Sequence, residues 1–272
     1  MGCLIAACAT TGVAGCATAL SSFQPAHVPE QGHFQGEFGT DLSLSVGAYN
    51  KVVDASVALN DASNTRTLTD DEKRKIIEGG ANLGMNPPAI IPHVGLAYAP
   101  WRSWEIGARL ATSGWRLAAR HQLLEQNEAG FDLSVGFGAG GALFDPPISR
   151  VLDKLRAEGF SRWNFDVPIA IGKHGSWYRW WGGPRIVYSV TSQDMILTLR
   201  NEPEIRGHVA GHAFYLGGHA GAALGYKSLF IGPELTLVRL LGSADVTAVG
   251  ATTNVSINAF VIYPAFAVMG EF

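Results

Sequence analysis

The stretch Arg162-Trp163-Asn164-Phe165-Asp166-Val167-Pro168-Ile169-Ala170-Ile171-Gly172 decides the fold. Trp163, Phe165, Val167, Ile169 and Ile171 fall on one parity. Arg162, Asn164, Asp166, Ala170 and Gly172 fall on the other. A period of two is the side-chain period of a β-strand, whose successive residues point to opposite faces. One face here is large and apolar, and the other is small and charged. That combination is the pattern of a strand with lipid on one side and a polar interior on the other.

The same alternation recurs along the chain. It predicts ten strands, at about 33–46, 88–99, 103–111, 114–124, 130–142, 161–172, 177–189, 208–224, 228–241 and 255–272. Composition agrees with this reading. Charged residues make up 16% of the chain, against about 25% in an ordinary soluble domain. Glycine is abundant, at 33 of 272 residues, and mean hydropathy is +0.13. A chain this apolar does not remain disordered. A net charge of −3 lacks the basic excess of a nucleic-acid binder. Beyond the N-terminus no run of 18 apolar residues could form a spanning helix. A soluble β-sandwich would also alternate. Two features favour the membrane. Trp104, Trp115, Trp163, Tyr178, Trp180 and Tyr188 sit near strand ends, where interfacial girdles lie. Short links after the even-numbered strands alternate with mostly longer links after the odd-numbered ones, the longest spanning about 47–87. The expected fold is therefore an all-β, ten-stranded antiparallel transmembrane β-barrel. It has short periplasmic turns, and its longer outer loops carry short helices at 69–79 and about 148–157.

The segment Phe266, Val268, Gly270 and Phe272 closes the last strand on alternate positions. It resembles the C-terminal assembly signal of bacterial outer-membrane β-barrel proteins. That resemblance implies insertion by the barrel assembly machinery and outer-membrane lipids as surroundings; the even strand count, with the long links on one side, predicts that both termini are periplasmic. The resemblance covers about 33–272 and is to an architecture rather than to a particular family.

Residues 1–15 are small, apolar and uncharged, as in the hydrophobic part of an export signal. Val13-Ala14-Gly15-Cys16 resembles the lipobox of bacterial lipoproteins, which implies cleavage before Cys16 and its lipidation. On that reading residues 16–32 are a lipid anchor and periplasmic linker, and residues 33–272 are the barrel. Cysteines occur only at positions 3, 8 and 16, so no disulfide can form within the barrel.

The inward parity carries Glu105, Arg109, Arg116, Arg120, Asp132, Asp166, Arg179, Arg185 and Glu234, with Glu37, Asp41, Arg162 and Glu271 beside them. Seven acids face six bases. This predicts a charge network in the lumen rather than a strongly selective pore. Small inward residues such as Gly95, Gly107 and Gly138 leave room for water, a narrow channel or a folded-in loop. If Thr112 and Ser113 form a two-residue turn, Glu105 opposes Arg120 and Arg109 opposes Arg116, with Asp132 and Glu105 as the nearby acids.

Other motifs carry less. His208 and His212 would share a helix face, but on a strand they lie about 13 Å apart, too far for one metal ion. Gly136-Phe-Gly-Ala-Gly-Gly141 has the glycines of a dinucleotide loop but sits inside a strand. Asp70 and Asp71 suit a helix start better than a catalytic pair. No cofactor, metal or nucleic acid is expected. The functional expectation is a non-enzymatic structural or accessory surface component, with loops 47–87 and 143–160 available to a protein partner. A narrow porin-like channel is the alternative, and an outer-membrane hydrolase a further one.

Overall fold

The structure, a computed structural model, describes residues 20–46, 69, 89–143, 155–198, 204–248 and 251–272. Ten antiparallel strands close into one barrel in the order β1-β10-β9-β8-β7-β6-β5-β4-β3-β2. They are β1 (Phe34–Val46), β2 (Ala89–Trp101), β3 (Trp104–Ala111), β4 (Gly114–Leu124), β5 (Asp132–Ala142), β6 (Leu155–His174), β7 (Tyr178–Leu197), β8 (Ile205–Tyr226), β9 (Leu229–Ala248) and β10 (Ala251–Glu271). No helix among the described residues is long and apolar enough to cross a membrane.

Closure satisfies every ladder without leaving an edge, which is what a strand structure in lipid requires. The seam is β1 against β10, from Gln35–Glu271 to Val46–Phe260. Phe34 and Phe272 fasten its end by exchanging backbone hydrogen bonds of 2.7 and 3.0 Å. Their rings stack with centroids 6.4 Å apart, and Phe34 also packs on Tyr98 at 4.6 Å. This end, with the connections 102–103, 125–131, 175–177 and 227–228, is called the turn end below. The opposite end is the loop end.

The outward face follows the expected parity. Phe38, Leu96, Leu110, Phe137, Phe165, Ile186, Leu216, Leu235 and Phe266 are all exposed on the wall. Such a band of exposed apolar side chains is stable only against lipid. Aromatics mark its margins. Trp104 stacks on His121 near the turn end, and Trp115 meets Trp163 edge-on at 5.8 Å near the loop end.

The structure corrects several expectations. β6 to β10 are 20 to 22 residues long, well beyond the lengths read from the sequence. β9 and β10 are joined by two residues, with Ala248 paired to Ala251, so that link is not long. Leu155 to Ala157, expected in a helix, belong to β6 and pair with Leu197 to Met195. The rest of the 148–157 helix and residues 70–79 of the other helix lie outside the described residues. The helix that is described, α1 (Gln126–Ala129), sits in the β4–β5 turn at the turn end, not in a loop.

Candidate functional site: a plugged lumen

The interior is built from inward-facing side chains and one further segment. Residues 20–32, read from sequence as a linker outside the barrel, lie inside it. Leu20, Ser21, Ser22, Phe23, Ala26 and His27 are buried. The segment leaves β1 at the turn end, where the Gly32 N–H donates to the Ala99 carbonyl at 2.8 Å. It then rises through the lumen, and Thr236 Oγ1 donates to the Leu20 carbonyl at 3.5 Å.

An irregular segment buried in a membrane barrel needs partners for its backbone polar groups, which lipid cannot supply. The wall supplies them with charged side chains. Glu234 accepts the Ser22 N–H at 2.7 Å and the Phe23 N–H at 2.9 Å, and its second oxygen also takes Trp181 Nε1–H at 2.9 Å. Phe23 has φ 43°, a left-handed conformation costing a non-glycine residue about 1–2 kcal/mol. Those hydrogen bonds and the burial of its ring among Trp181, Ala223, Phe230 and Ala265 offset the cost. Arg109 donates to the Ser21 carbonyl and, at 2.8 Å, to Ser21 Oγ. Ser21 Oγ donates to Asp41 at 2.7 Å. Arg120 donates to the Pro25 carbonyl, and Gln122 accepts the Val28 N–H at 2.7 Å. His27 meets Glu271 at 2.8 Å.

Each charge expected in the lumen is found facing inward, and the contacts divide into groups. Glu105 pairs with Arg120 at 2.7 Å in the predicted register. Arg109 does oppose Arg116, but the acids that neutralise them differ from those expected. Arg109 is held by Glu37 and Asp41, each at 3.2 Å. Arg116 and Arg185 share Asp166, at 2.9 and 3.4 Å. Gly138 makes the Arg116–Asp166 pair possible, since a Cβ there would collide with Asp166 Oδ1. Asp132 lies lower, bonded to Gln122 at 2.9 Å and His174 at 2.7 Å. Arg179 makes two hydrogen bonds to Glu271, at 3.0 and 2.6 Å, with its guanidinium 3.8 Å above Phe230. At the turn end, outside the strands, Arg102 hydrogen-bonds Glu125 and lowers its carboxyl pKa.

Arg109, Arg120 and Glu234 thus touch the plug directly, and Arg179 does so through Glu271. Arg116, Asp166 and Arg185 form a separate cluster. The plug residues themselves were missed from sequence because the bonds run largely to their backbone, which side-chain identity does not encode. The excess of small inward residues was the available signal, and Trp181 packs on one of them, Gly221. Phe266, Val268, Gly270 and Phe272 lie on β10 or at its end. Cys16 lies outside the described residues. Among the described residues no group of His, Cys, Asp and Glu is arranged to hold a metal ion.

No protein-family model matches the chain, and no curated protein matches it. Three solved structures are similar in outline. The attachment invasion locus protein Ail of Yersinia pestis is 8% identical, covering 89% of this chain and 99% of that one, with a TM-score of 0.32. A major outer membrane protein of Thermus thermophilus is 9% identical, covering 88% and 99%, with a TM-score of 0.36. The N-terminal β-barrel domain of Pseudomonas aeruginosa OprF is 7% identical, covering 89% and 98%, with a TM-score of 0.23. Similarity at this level carries no functional information.

Proposed function

We propose that the protein is a closed bacterial outer-membrane barrel acting as a structural or accessory surface component. Its loop end, including segments 47–87 and 143–160, faces a protein partner, and the turn end, with the C-terminus and the start of β1, faces the periplasm. The plug carries this reading. Residues 20–32 occupy the lumen and are bonded to its wall through Arg109, Arg120, Gln122 and Glu234. A lumen filled by its own chain supports a structural role over the narrow passive channel. Insertion by the barrel assembly machinery through Phe266, Val268, Gly270 and Phe272 belongs to the same proposal.

Lipidation of Cys16 is constrained by the plug. Leu20 is held inside the lumen, so an anchor four residues before it has about 14 Å of chain with which to reach lipid. Intact-mass measurement of the mature protein tests it, because an unmodified Cys16 would end the lipoprotein reading. For the closed barrel, the experiment is conductance of the purified protein in planar bilayers. The expected result is no stable conductance steps, and reproducible steps from the intact chain would favour the channel instead.

A further inference from the structure

We infer that the outer wall of β7 and β8 carries a Ser–His–Asp hydrolytic site, formed by Ser192, His208 and Asp194, that acts on O-acyl esters of membrane lipid. This goes beyond the structural role above and involves none of the lumen residues.

The geometry is that of a nucleophile, its base and the group that orients the base. Asp194 and His208 are direct cross-strand partners. Asp194 Oδ1 lies 2.7 Å from His208 Nδ1. Ser192, two residues before Asp194 on the same face, places Oγ 3.4 Å from His208 Nε2. The two ring nitrogens are therefore divided as a serine hydrolase needs them. With Nδ1–H donating to the carboxylate, Nε2 is left as the acceptor facing the hydroxyl. The 3.4 Å separation is long for an O–H···N bond but within the looseness usual before substrate arrives. A β-bulge lies beside the group, between Glu158 and Ser161 on β6, with Gly159 at φ +61°. A Cβ at Gly159 would stand 3.7 Å from Asp194 Oδ2, so the bulge backbone borders the site. Bulges often re-aim side chains next to active sites.

Position on the wall identifies the substrate class. Along β7 the outward residues are Tyr178, Trp180, Pro184, Ile186, Tyr188 and Val190, and then Ser192 and Asp194. Trp163 pairs with Val190 at the upper margin of the apolar belt. Tyr178 to Val190 spans about 40 Å along the strand, or about 30 Å across the membrane at a usual barrel tilt. Ser192 is the first polar outward residue beyond that margin on β7. Hydrocarbon gives way to headgroups at this depth, and the ester carbonyls of lipids lie at that boundary. His208 and Asp194 side chains are 51% and 63% exposed, accessible from the surrounding lipid rather than from the plugged lumen.

In the reaction, Ser192 Oγ attacks the acyl carbonyl carbon while its proton passes to His208 Nε2. The tetrahedral intermediate collapses, the C–O ester bond breaks, and the leaving lipid hydroxyl takes that proton from Nε2. Water, deprotonated by Nε2, then attacks the acyl-Ser192 carbonyl. Fatty acid is released and the proton returns to Ser192. Asp194 holds the imidazole in the required tautomer throughout and acts as a positioning residue.

The test uses the refolded full chain with two lipid probes. One is vesicles of phosphatidylethanolamine and phosphatidylglycerol; the other is purified lipopolysaccharide, which also carries O-linked acyl chains. Free fatty acid is measured in each, and a fluorophosphonate probe is applied with peptide mapping. The expected result is release from one probe and phosphonylation of Ser192, both lost in Ser192→Ala. In Asp194→Asn, release falls by at least about a hundredfold while the heat-modifiable gel shift is unchanged. The probe that is cleaved says which lipid ester is the substrate. Three results would each overturn the proposal: release that persists in Ser192→Ala, absence of both release and labelling, and labelling of Ser192 without release from either lipid.

Discussion

The same strands present different outward faces at their two ends. In the belt, β7 turns Trp180 and Ile186 outward and Arg179 and Arg185 inward. Beyond Val190 it turns Ser192 and Asp194 outward and buries Thr191, Gln193 and Met195. β8 and β9 do likewise: His208, Asp245 and Thr247 face out, and Val209, Ala244 and Val246 face in. The inversion follows the solvent. Lipid surrounds the belt, so apolar side chains go outward and the polar groups inside must find partners. Past the belt the outward face is polar, while from the upper half of the belt onward the apolar residues Tyr215, Val238, Leu240, Val255 and Ile257 form the inner cluster that Leu20 joins. Polar interiors are therefore not a fixed property of this barrel. They occur where the plug backbone needs hydrogen bonds and in the Arg116–Asp166–Arg185 cluster, whose charges satisfy one another.

That contrast can be broken by mutation. The largest effect is expected at Glu234. Glu234→Ala would leave the Ser22 and Phe23 N–H groups and Trp181 Nε1 without their acceptor, at about 1–3 kcal/mol for each unsatisfied donor. The temperature of the heat-modifiable gel shift should drop more than for Glu105→Ala or for any outward substitution, and an unchanged temperature would remove the plug's anchoring role. Glu105→Ala comes next, at about 3–5 kcal/mol, because it leaves Arg120 buried without its carboxylate. Adding Arg120→Leu should recover part of that loss but not all, since Arg120 also holds the Pro25 carbonyl. A double variant less stable than the single one would contradict the pairing.

A matched pair of outward substitutions sharpens the comparison directly. Leu235→Arg places charge in the belt and should cost about 2–4 kcal/mol. Thr247→Arg, on the same strand beyond the belt, should stay within about 0.5 kcal/mol. Denaturant unfolding in lipid vesicles measures both, and equal costs would mean the belt margin is misplaced. The smallest effect is expected for Arg102→Ala. It removes an exposed partner of Glu125 at the turn end, and the gel-shift temperature should not move measurably.

The inversion also explains what could be read in advance. Strands inside the belt announce themselves, because Trp163, Phe165 and Val167 alternate with Arg162, Asn164 and Asp166. The two-residue turn at Thr112 and Ser113 fixed the β3–β4 register, including Glu105 opposite Arg120. Beyond the belt the pattern weakens, as in Gly207-His-Val-Ala-Gly-His-Ala213, where small residues serve both faces. The extra length of β6 to β10 was hidden for that reason. Residues on the outer wall at Ser192, Asp194 and His208 were read as loop or ambiguous strand, so their meeting across β7 and β8 was invisible. Nothing in Ser21-Ser-Phe-Gln-Pro25 distinguishes a plug from a linker, because the decisive groups are its N–H and C=O.

The plug is the central claim, and maleimide labelling of single cysteines tests it most directly. Cys3, Cys8 and Cys16 are first replaced, and a cysteine is then introduced either at Ala26, 2% exposed inside the lumen, or at Glu128, in α1 at the turn end. A bulky water-soluble maleimide is applied to the folded barrel in detergent, and modification is followed by mass. The prediction is rapid modification of Glu128→Cys and none of Ala26→Cys until the barrel is unfolded. Equal rates at the two positions would place residues 20–32 outside the lumen and contradict the account.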